Sequence, residues 1–412
     1  MRKEDTLRLH THALAHRIAA RELKQTWLAA QVGVDKKTVG RWLNGQVKRL
    51  ARGHAARLAT VLGCAVSDLT VPDEADVLAT KEEQRVAARL IQERDLLARL
   101  SPTDDWRLAE TIIRATLQPD LPLATLGRLY NLLSIACWRQ GGYDEALRHA
   151  ARAREIGARC GDRTIVCGAT YNDAVIESLR GDHATALAAY ERCLARPEDF
   201  ETPRDRGKVL SNLGVAYRDV LRFDDALRTQ QAAIDLFREL GLDLNLAIAW
   251  VSHGYALTEV GRFDDAKEAH QRAAEHARRA GYQRGVDCAP IYLADPTSLG
   301  GGEDEARELV IGALPALARH EVYDLGLHEL AARVLRRAGD LDGAAAQVKE
   351  GLRRSADFPG VHAFMRLEEA RLALAKKDTK GEVRAREAAN DAFRRAGLGV
   401  RVLTRRVREH GA

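Results

Sequence analysis

The sequence has little that would support catalysis, membrane insertion or disulfide stapling. Its 412 residues include six cysteines, Cys64, Cys137, Cys160, Cys167, Cys193 and Cys288, with no CxxC pair among them. That scatter argues against a disulfide framework or a structural zinc site and for small buried thiols in a reduced protein. No stretch approaches the roughly 20 apolar residues needed to span a bilayer, so no membrane partner is expected. The opening Met1-Arg2-Lys3-Glu4-Asp5 leads into a polar segment that reads as helical and lacks the apolar core of a signal peptide. A cytoplasmic location is therefore expected. GxxxxGKS, HExxH and GxSxG are absent, so the expectation is a non-enzyme with no catalytic residue, metal or cofactor. His10, His12 and His16 recur at helical spacing without a Cys or carboxylate set, and read as a solvated helix face. Aromatics are only 5%, and strand-like alternation of Val, Ile and Thr is missing. Ala, Leu and Arg dominate and favour helix. The predicted class is all-α.

Charge is unevenly placed. Residues 1–72 carry 13 Lys/Arg against 5 Asp/Glu, and the remainder carries 51 against 54. A cationic surplus confined to one end suggests a polyanionic partner for that segment. Val71-Pro72-Asp73-Glu74-Ala75-Asp76 then turns acidic, and Pro72 disfavours a helix through it. This predicts a domain over 1–70, a linker over 71–80, a helical array over 81–395 and a capping segment over 396–412. Residues 81–118 read as a divergent helix pair. Arg394, Arg395, Arg401, Arg405, Arg406 and Arg408 near the end read as a solvated helix face.

After the linker the sequence repeats. Gly142-Tyr143-Asp144-Glu145-Ala146-Leu147, Arg222-Phe223-Asp224-Asp225-Ala226-Leu227 and Arg262-Phe263-Asp264-Asp265-Ala266 are copies of one pattern, with weaker ones around Ala186, Ala306 and Ala344. The alanines are spaced by 40, 40, 40, 40 and 38 residues. Each copy places apolar residues at helical spacing, then a polar turn with a capping Asp, then a small Ala where two helices approach. A helix pair cannot bury its apolar face alone, so neighbours must stack as a solenoid. With Asn212-Leu213-Gly214-x-x-Tyr217 ahead of the Ala226 pattern, this resembles the tetratricopeptide repeat family, with a period longer than that family's usual one. One repeat is irregular: its first helix, about 284–299, carries Pro290 and Pro296 and ends in Gly300-Gly301-Gly302. It is expected to be short or kinked. It reads either as a hinge or as prolines placed at a helix start or in a widened loop.

Leu23 to Gly45 carries the functional signal. A helix from about Lys24 presents Leu28 and Ala29 inward. Gly33 supplies a turn, Val34 packs, and Asp35 caps a second helix, Lys36–Leu43, whose inner face is Val39 and Trp42. Asn44-Gly45 ends it. Leu23, Gln25, Leu28, Ala29, Gly33, Val34, Thr38, Val39, Trp42, Asn44 and Gly45 resemble the helix-turn-helix of the Cro-like (XRE-type) family. Leu43 departs from it, standing where the family often has Glu. His54–Leu62 and Val66–Leu69 fit a fourth and a fifth helix. The resemblance implies double-stranded DNA as partner. The second helix would enter the major groove, with Lys36, Lys37, Thr38, Gly40 and Arg41 projecting from it and Asn44 at its end. Gln25 would hold a phosphate, and Lys48, Arg49 and Arg52, in a long loop Gln46–Gly53, would lie near the backbone.

A solenoid joined to such a domain resembles the peptide-responsive RRNPP regulators of bacteria. That resemblance implies a homodimer on a palindromic operator and a short peptide on the inner face of the repeats. Asn131, Asn172 and Asn212, continued by Ser252, recur on successive first helices, and Lys208 lies one turn before Asn212. An Asn amide both donates and accepts, and so suits a peptide backbone. Asn at this position is also common without a ligand. A second reading is open: a scaffold whose repeats grip a protein partner, with the helix-turn-helix recruiting it to DNA.

Overall fold

Short apolar clusters build the amino-terminal fold. In the computed structural model, which describes residues 6–9, 11–19, 21, 23–47, 49–64, 66, 69–71, 106–117, 121–317, 325–355 and 359–395, strand β1 (Thr6–Leu9) precedes helices α1 (Thr11–Ala19), α2 (Gln25–Val32) and α3 (Lys36–Leu43). Strand β2 (Arg49–Ala51), helix α4 (Arg52–Val61) and strand β3 (Thr70–Val71) follow. Leu9, Leu14, Ile18, Leu28, Val32, Val39, Trp42, Leu50, Leu58, Leu62 and Leu69 form one buried core. The Leu69 amide donates to the Val66 carbonyl at 3.0 Å, and Val66 has 3-10 helical backbone; residues 67 and 68 of the predicted fifth helix lie outside the described residues.

The all-α class holds, and three short strands add a small sheet to this domain that the sequence pattern does not show. β1 is central, antiparallel to β2 with Leu7 opposite Leu50 and to β3 with Leu9 opposite Thr70. The amino-terminal segment expected to be helical thus begins as a strand, and the long loop Gln46–Gly53 contains another. Strands of two to four residues carry too few alternations to show a period of 2. Their pairing joins residues more than forty positions apart, beyond the reach of a local pattern.

Beyond it come α5 (Trp106–Thr116), α6 (Leu123–Arg139), α7 (Tyr143–Cys160) and α8 (Arg163–Arg180). The series continues with α9 (His183–Leu194), α10 (Pro203–Asp219), α11 (Phe223–Glu239), α12 (Asp243–Glu259), α13 (Phe263–Arg279) and α14 (Gln283–Leu299). It ends with α15 (Glu303–Leu317), α16 (Leu325–Arg337), α17 (Leu341–Arg354), α18 (Pro359–Ala375) and α19 (Thr379–Arg395). Two compact units divide at 169/170, inside α8. Apart from Val71, the linker expected over 71–80 lies outside the described residues. So do all of 81–105 and all of 396–412, with Arg401, Arg405, Arg406 and Arg408. Arg394 and Arg395 stand on α19, where both pair with Asp391.

The repeat pattern has a plain physical basis. Ala146, Ala186, Ala226, Ala266, Ala306 and Ala344 are all at most 1% exposed, at the positions where a larger side chain would force helices apart. Helices end in left-handed residues that let the chain reverse: at Gly261 (φ +80°) the Arg262 amide reaches back to the Leu257 carbonyl at 3.0 Å. Leu221 takes the same role without being glycine, at φ +65°.

The proline-bearing helix is not shortened. α14 runs through both Pro290 and Pro296 for 17 residues, and neither proline lies at its start or in a loop. Each leaves a carbonyl of the preceding turn without its usual donor. Burial of Cys288, Ile291 and Ala294 in a core shared with α15, α16 and α17 outweighs that loss.

His270 on α13 is fully enclosed. Its ring lies 5.7 Å from Tyr255 and stacks on Tyr292 at 5.9 Å, and neither ring nitrogen has a hydrogen-bond partner. Burial pushes its pKa down to about 4, against a small opposing pull from Asp295. The folded chain thus keeps it neutral where the unfolded chain protonates it. Unfolding takes up a proton between these pKa values, so stability is intact above about pH 6.5 and falls as pH drops toward 4. For His270 alone the expected loss at pH 5 is about 2 kcal/mol. Denaturant unfolding at pH 7 and pH 5, compared with His270→Phe, checks this: the variant should show a flatter dependence, and an unchanged slope would refute it.

Candidate nucleic-acid interface

The turn before α3 is built as the sequence requires. Gly33 sits at φ +75°, and both its amide and that of Val34 bond to the Ala29 carbonyl at 3.0 Å. Asp35 caps α3: Oδ1 accepts from the Thr38 amide and Oδ2 from the Thr38 hydroxyl, both at 2.8 Å. These bonds from Thr38 hold the Asp35 carboxyl below its ordinary pKa. Val39 and Trp42, 0% and 2% exposed, anchor α3 to the core.

The opposite face is cationic and open. Lys36, Lys37 and Arg41 are exposed, and Thr38 and Gly40 are half-buried beside them. Gln25 is exposed at the first position of α2, where backbone N–H groups lack intrahelical partners. Asn44 is exposed and caps the end of α3, its Oδ1 accepting from the Gln46 amide at 3.2 Å. The Thr38 hydroxyl is committed to the cap, which leaves its methyl and backbone to face outward chemistry.

The flanking cations divide. Arg49 lies in β2, half-buried, and donates to the Thr6 hydroxyl at 2.8 Å and the Thr6 carbonyl at 3.1 Å. Arg52 is exposed at the start of α4. Lys48 lies outside the described residues. Arg57 does not stand out in the sequence. Its guanidinium lies where a Cβ on Gly33 would meet it at 3.1 Å, which adds an exposed cation beside the turn. A basic residue one turn after the helix-opening Gly53, whose carbonyl it bonds at 3.3 Å, is the signal that marks it.

The polar positions assigned to the repeats are largely engaged. Asn131 on α6 donates to the Ile165 carbonyl at 3.0 Å. Asn172 on α8 is 1% exposed. Asn212 on α10 donates to the Tyr171 hydroxyl at 2.8 Å. Lys208, one turn earlier on α10, pairs with Asp205 at 3.1 Å. Ser252 on α12 is half-buried. Lys208 and Asn212 thus share one helix, while two of the amides stitch neighbouring helices together.

Residues 13–74 match the family model of the Cro/C1-type helix-turn-helix DNA-binding domain, and residues 125–199 and 205–279 match that of the tetratricopeptide repeat. The chain therefore joins a Cro/C1-type helix-turn-helix DNA-binding domain to tetratricopeptide repeats. A Rap protein complexed with competence and sporulation factor is similar at 14% identity and a TM-score of 0.56, over 76% of this chain and 88% of that one. The Rap conjugation gene regulator of plasmid pLS20, in complex with the Phr* peptide, is similar at 14% identity and a TM-score of 0.50, over 68% of this chain and 87% of that one. Bacillus thuringiensis PlcR, in complex with the peptide PapR7 and DNA, aligns at 13% identity and a TM-score of 0.43, over 68% of this chain and 98% of that one. No curated protein sequence matches the chain. No helix among the described residues is long and apolar enough to cross a membrane.

Proposed function

We propose that this protein is a cytoplasmic, sequence-specific transcription regulator that binds a palindromic operator as a homodimer and senses a short peptide through its repeats. The observation that carries the DNA half is the exposed Lys36/Lys37/Arg41 face of α3, held on a buried Val39/Trp42 anchor in a domain of the Cro/C1 type. Helices of this kind lead with their amino-terminal residues into the major groove. Arg41 forks onto a guanine edge, Lys36 and Lys37 take base or phosphate, and Gln25, Asn44, Lys48 and Arg52 contact the backbone. One such helix makes a small interface, which is the reason for two copies on two half-sites.

The peptide half takes its direction from the two Rap structures, both with a bound factor or peptide. In this reading Lys208, Asn212 and Ser252 meet the ligand, and the ligand must favour one DNA-binding state over the other, because equal affinity shifts nothing. One observation favours the adaptor reading: Asn131 and Asn212 already bond to neighbouring helices, and Asn172 is closed to solvent. Amides committed this way hold the repeats together, as a scaffold for a protein partner requires, and offer less to a peptide backbone.

Selection from a random duplex library, with footprinting on the gene's own upstream region, tests the DNA half. Protection of two half-sites about one helical turn apart is expected. Absence of affinity for any duplex at low ionic strength would overturn it. A pull-down that recovers a stoichiometric protein and no small peptide would favour the adaptor.

A further inference from the structure

Three metal-ligating side chains of different kinds meet between α6 and α7. Cys137 stands near the end of α6, and Glu145 and His149 lie one turn apart on α7, on one face of that helix. The cysteine sulfur, a carboxylate oxygen and an imidazole nitrogen all lie within 4.8 Å of one another. Tyr130 stacks on the His149 ring, with centroids 5.8 Å apart and 29° between planes. The ring so held places Nε2 3.6 Å from Glu145 Oε1, too far for a hydrogen bond. That nitrogen is buried and has no hydrogen-bond partner. A buried polar atom left this way is costly unless something else satisfies it.

We propose that Cys137, Glu145 and His149 form a binding site for a borderline-soft divalent transition metal of the zinc class. Thiolate, imidazole and carboxylate are the donors zinc takes, and three protein ligands leave a fourth position for water. Zinc–ligand bonds of about 2.0–2.3 Å bring such donors closer together than they now stand. Side-chain rotation of Glu145 and His149, both on the partly open face of α7, supplies that movement. The bound ion would pin α6 to α7 within one helical pair.

Arg114 sets the character of the site. It bonds Glu110 at 2.8 Å and Glu145 at 2.7 Å, and stands 4.0 Å from the Cys137 sulfur. When Glu145 turns to the metal, Arg114 keeps Glu110, so its charge stays near the ion. This repulsion makes the site weaker than an all-thiolate one, and reversible. A thiol binds such a metal as thiolate, so the Cys137 proton leaves as the metal–sulfur bond forms and metal binding releases protons.

Cobalt(II), titrated into reduced, metal-free full-length protein, is the probe. A one-to-one complex with a thiolate-to-cobalt charge-transfer band is expected, displaced by zinc and accompanied by proton release. Cys137→Ser should abolish the band. His149→Ala and Glu145→Gln should each weaken binding by at least the roughly 10-fold seen when outer-shell partners are lost. Cys160→Ser, at an exposed thiol, should leave the band intact. Zinc should raise the melting temperature of the parent and not of Cys137→Ser, with unchanged far-ultraviolet circular dichroism showing that the variants fold. A complex without a thiolate band, or a band that survives Cys137→Ser or vanishes in Cys160→Ser, would overturn the proposal. None of these readouts uses DNA, so their outcome is independent of the regulator reading.

Discussion

Replacing Asp295 with asparagine is expected to destabilise the repeat unit 170–412 by about 3–5 kcal/mol, the cost of stranding buried charge. Asp295, on α14, is 3% exposed, and its two oxygens accept from Arg333 and Arg337 of α16, each at 2.9 Å. Burial works against the charge on Arg333, but the carboxylates of Asp295 and Glu329 outweigh it and raise its pKa. Arg337 is less well compensated: burial and the nearby Arg333 charge push its pKa down. The network extends to α18, where Glu368, 1% exposed, takes Arg336 at 2.5 Å and Arg371 at 3.3 Å. Asparagine keeps the shape of Asp295 and removes its charge, so Arg337 loses its carboxylate partner and the buried Arg333 keeps only Glu329, at 3.7 Å. Thermal unfolding should show the effect as a drop on the order of 10 °C. Replacing Asp295, Arg333 and Arg337 together by apolar residues of similar volume should recover most of the stability, since the desolvation cost then disappears with the charges. A loss under about 1 kcal/mol for Asp295→Asn would place this network among screened surface pairs, whose median worth is that small.

That network also marks where the sequence stops being legible. The alanines from 146 to 344 fix the helix pairs because each repeats the same local packing problem, and all six are buried as expected. Gly33, Asp35 and the Lys36–Leu43 helix are readable for a similar reason, since cap, turn and inner face are all local. Asp295 pairs with Arg333 and Arg337, and Glu368 with Arg336, so the charges of three successive first helices are linked. In the sequence they look like ordinary charges on helices, and only burial reveals that they are shared. The three strands, whose pairing is non-local, and α14, whose prolines argue for an interruption, are illegible because tertiary packing overrides local preference. Arg49 differs from its expectation in kind as well as place. It looks like a loop cation, and it is bonded to Thr6 in the small sheet. Cys137, Glu145 and His149 follow no known spacing, because one lies on a different helix from the other two.

Replacing Lys36, Lys37 and Arg41 together with alanine is expected to remove measurable DNA binding while leaving the fold intact. Each side chain is exposed, so the core packing of Val39 and Trp42 and the Asp35 cap survive its removal. Alanine, a strong helix former, also preserves α3. Deleting a side chain that reads a base costs roughly 1–3 kcal/mol, and deleting one that holds a phosphate makes the salt dependence shallower by about one unit of slope. Three such deletions together amount to roughly a hundredfold or more in affinity, and to far more if Arg41 reads a guanine. Single variants separate the roles: Arg41→Ala should relax preference at one base pair, whereas Lys36→Ala or Lys37→Ala, if on phosphate, should weaken all sequences alike. Arg49→Ala supplies the contrast, because its bonds to Thr6 predict a fall in domain stability ahead of a fall in affinity. Trp42→Ala supplies another, since emptying the core should cost about 3–5 kcal/mol and abolish binding through unfolding. Titration of an operator fragment at several salt concentrations, beside circular dichroism of each variant, distinguishes these cases. If the triple variant still binds with the parent's affinity and slope, α3 is not the helix that reads DNA, however well its geometry suits the groove.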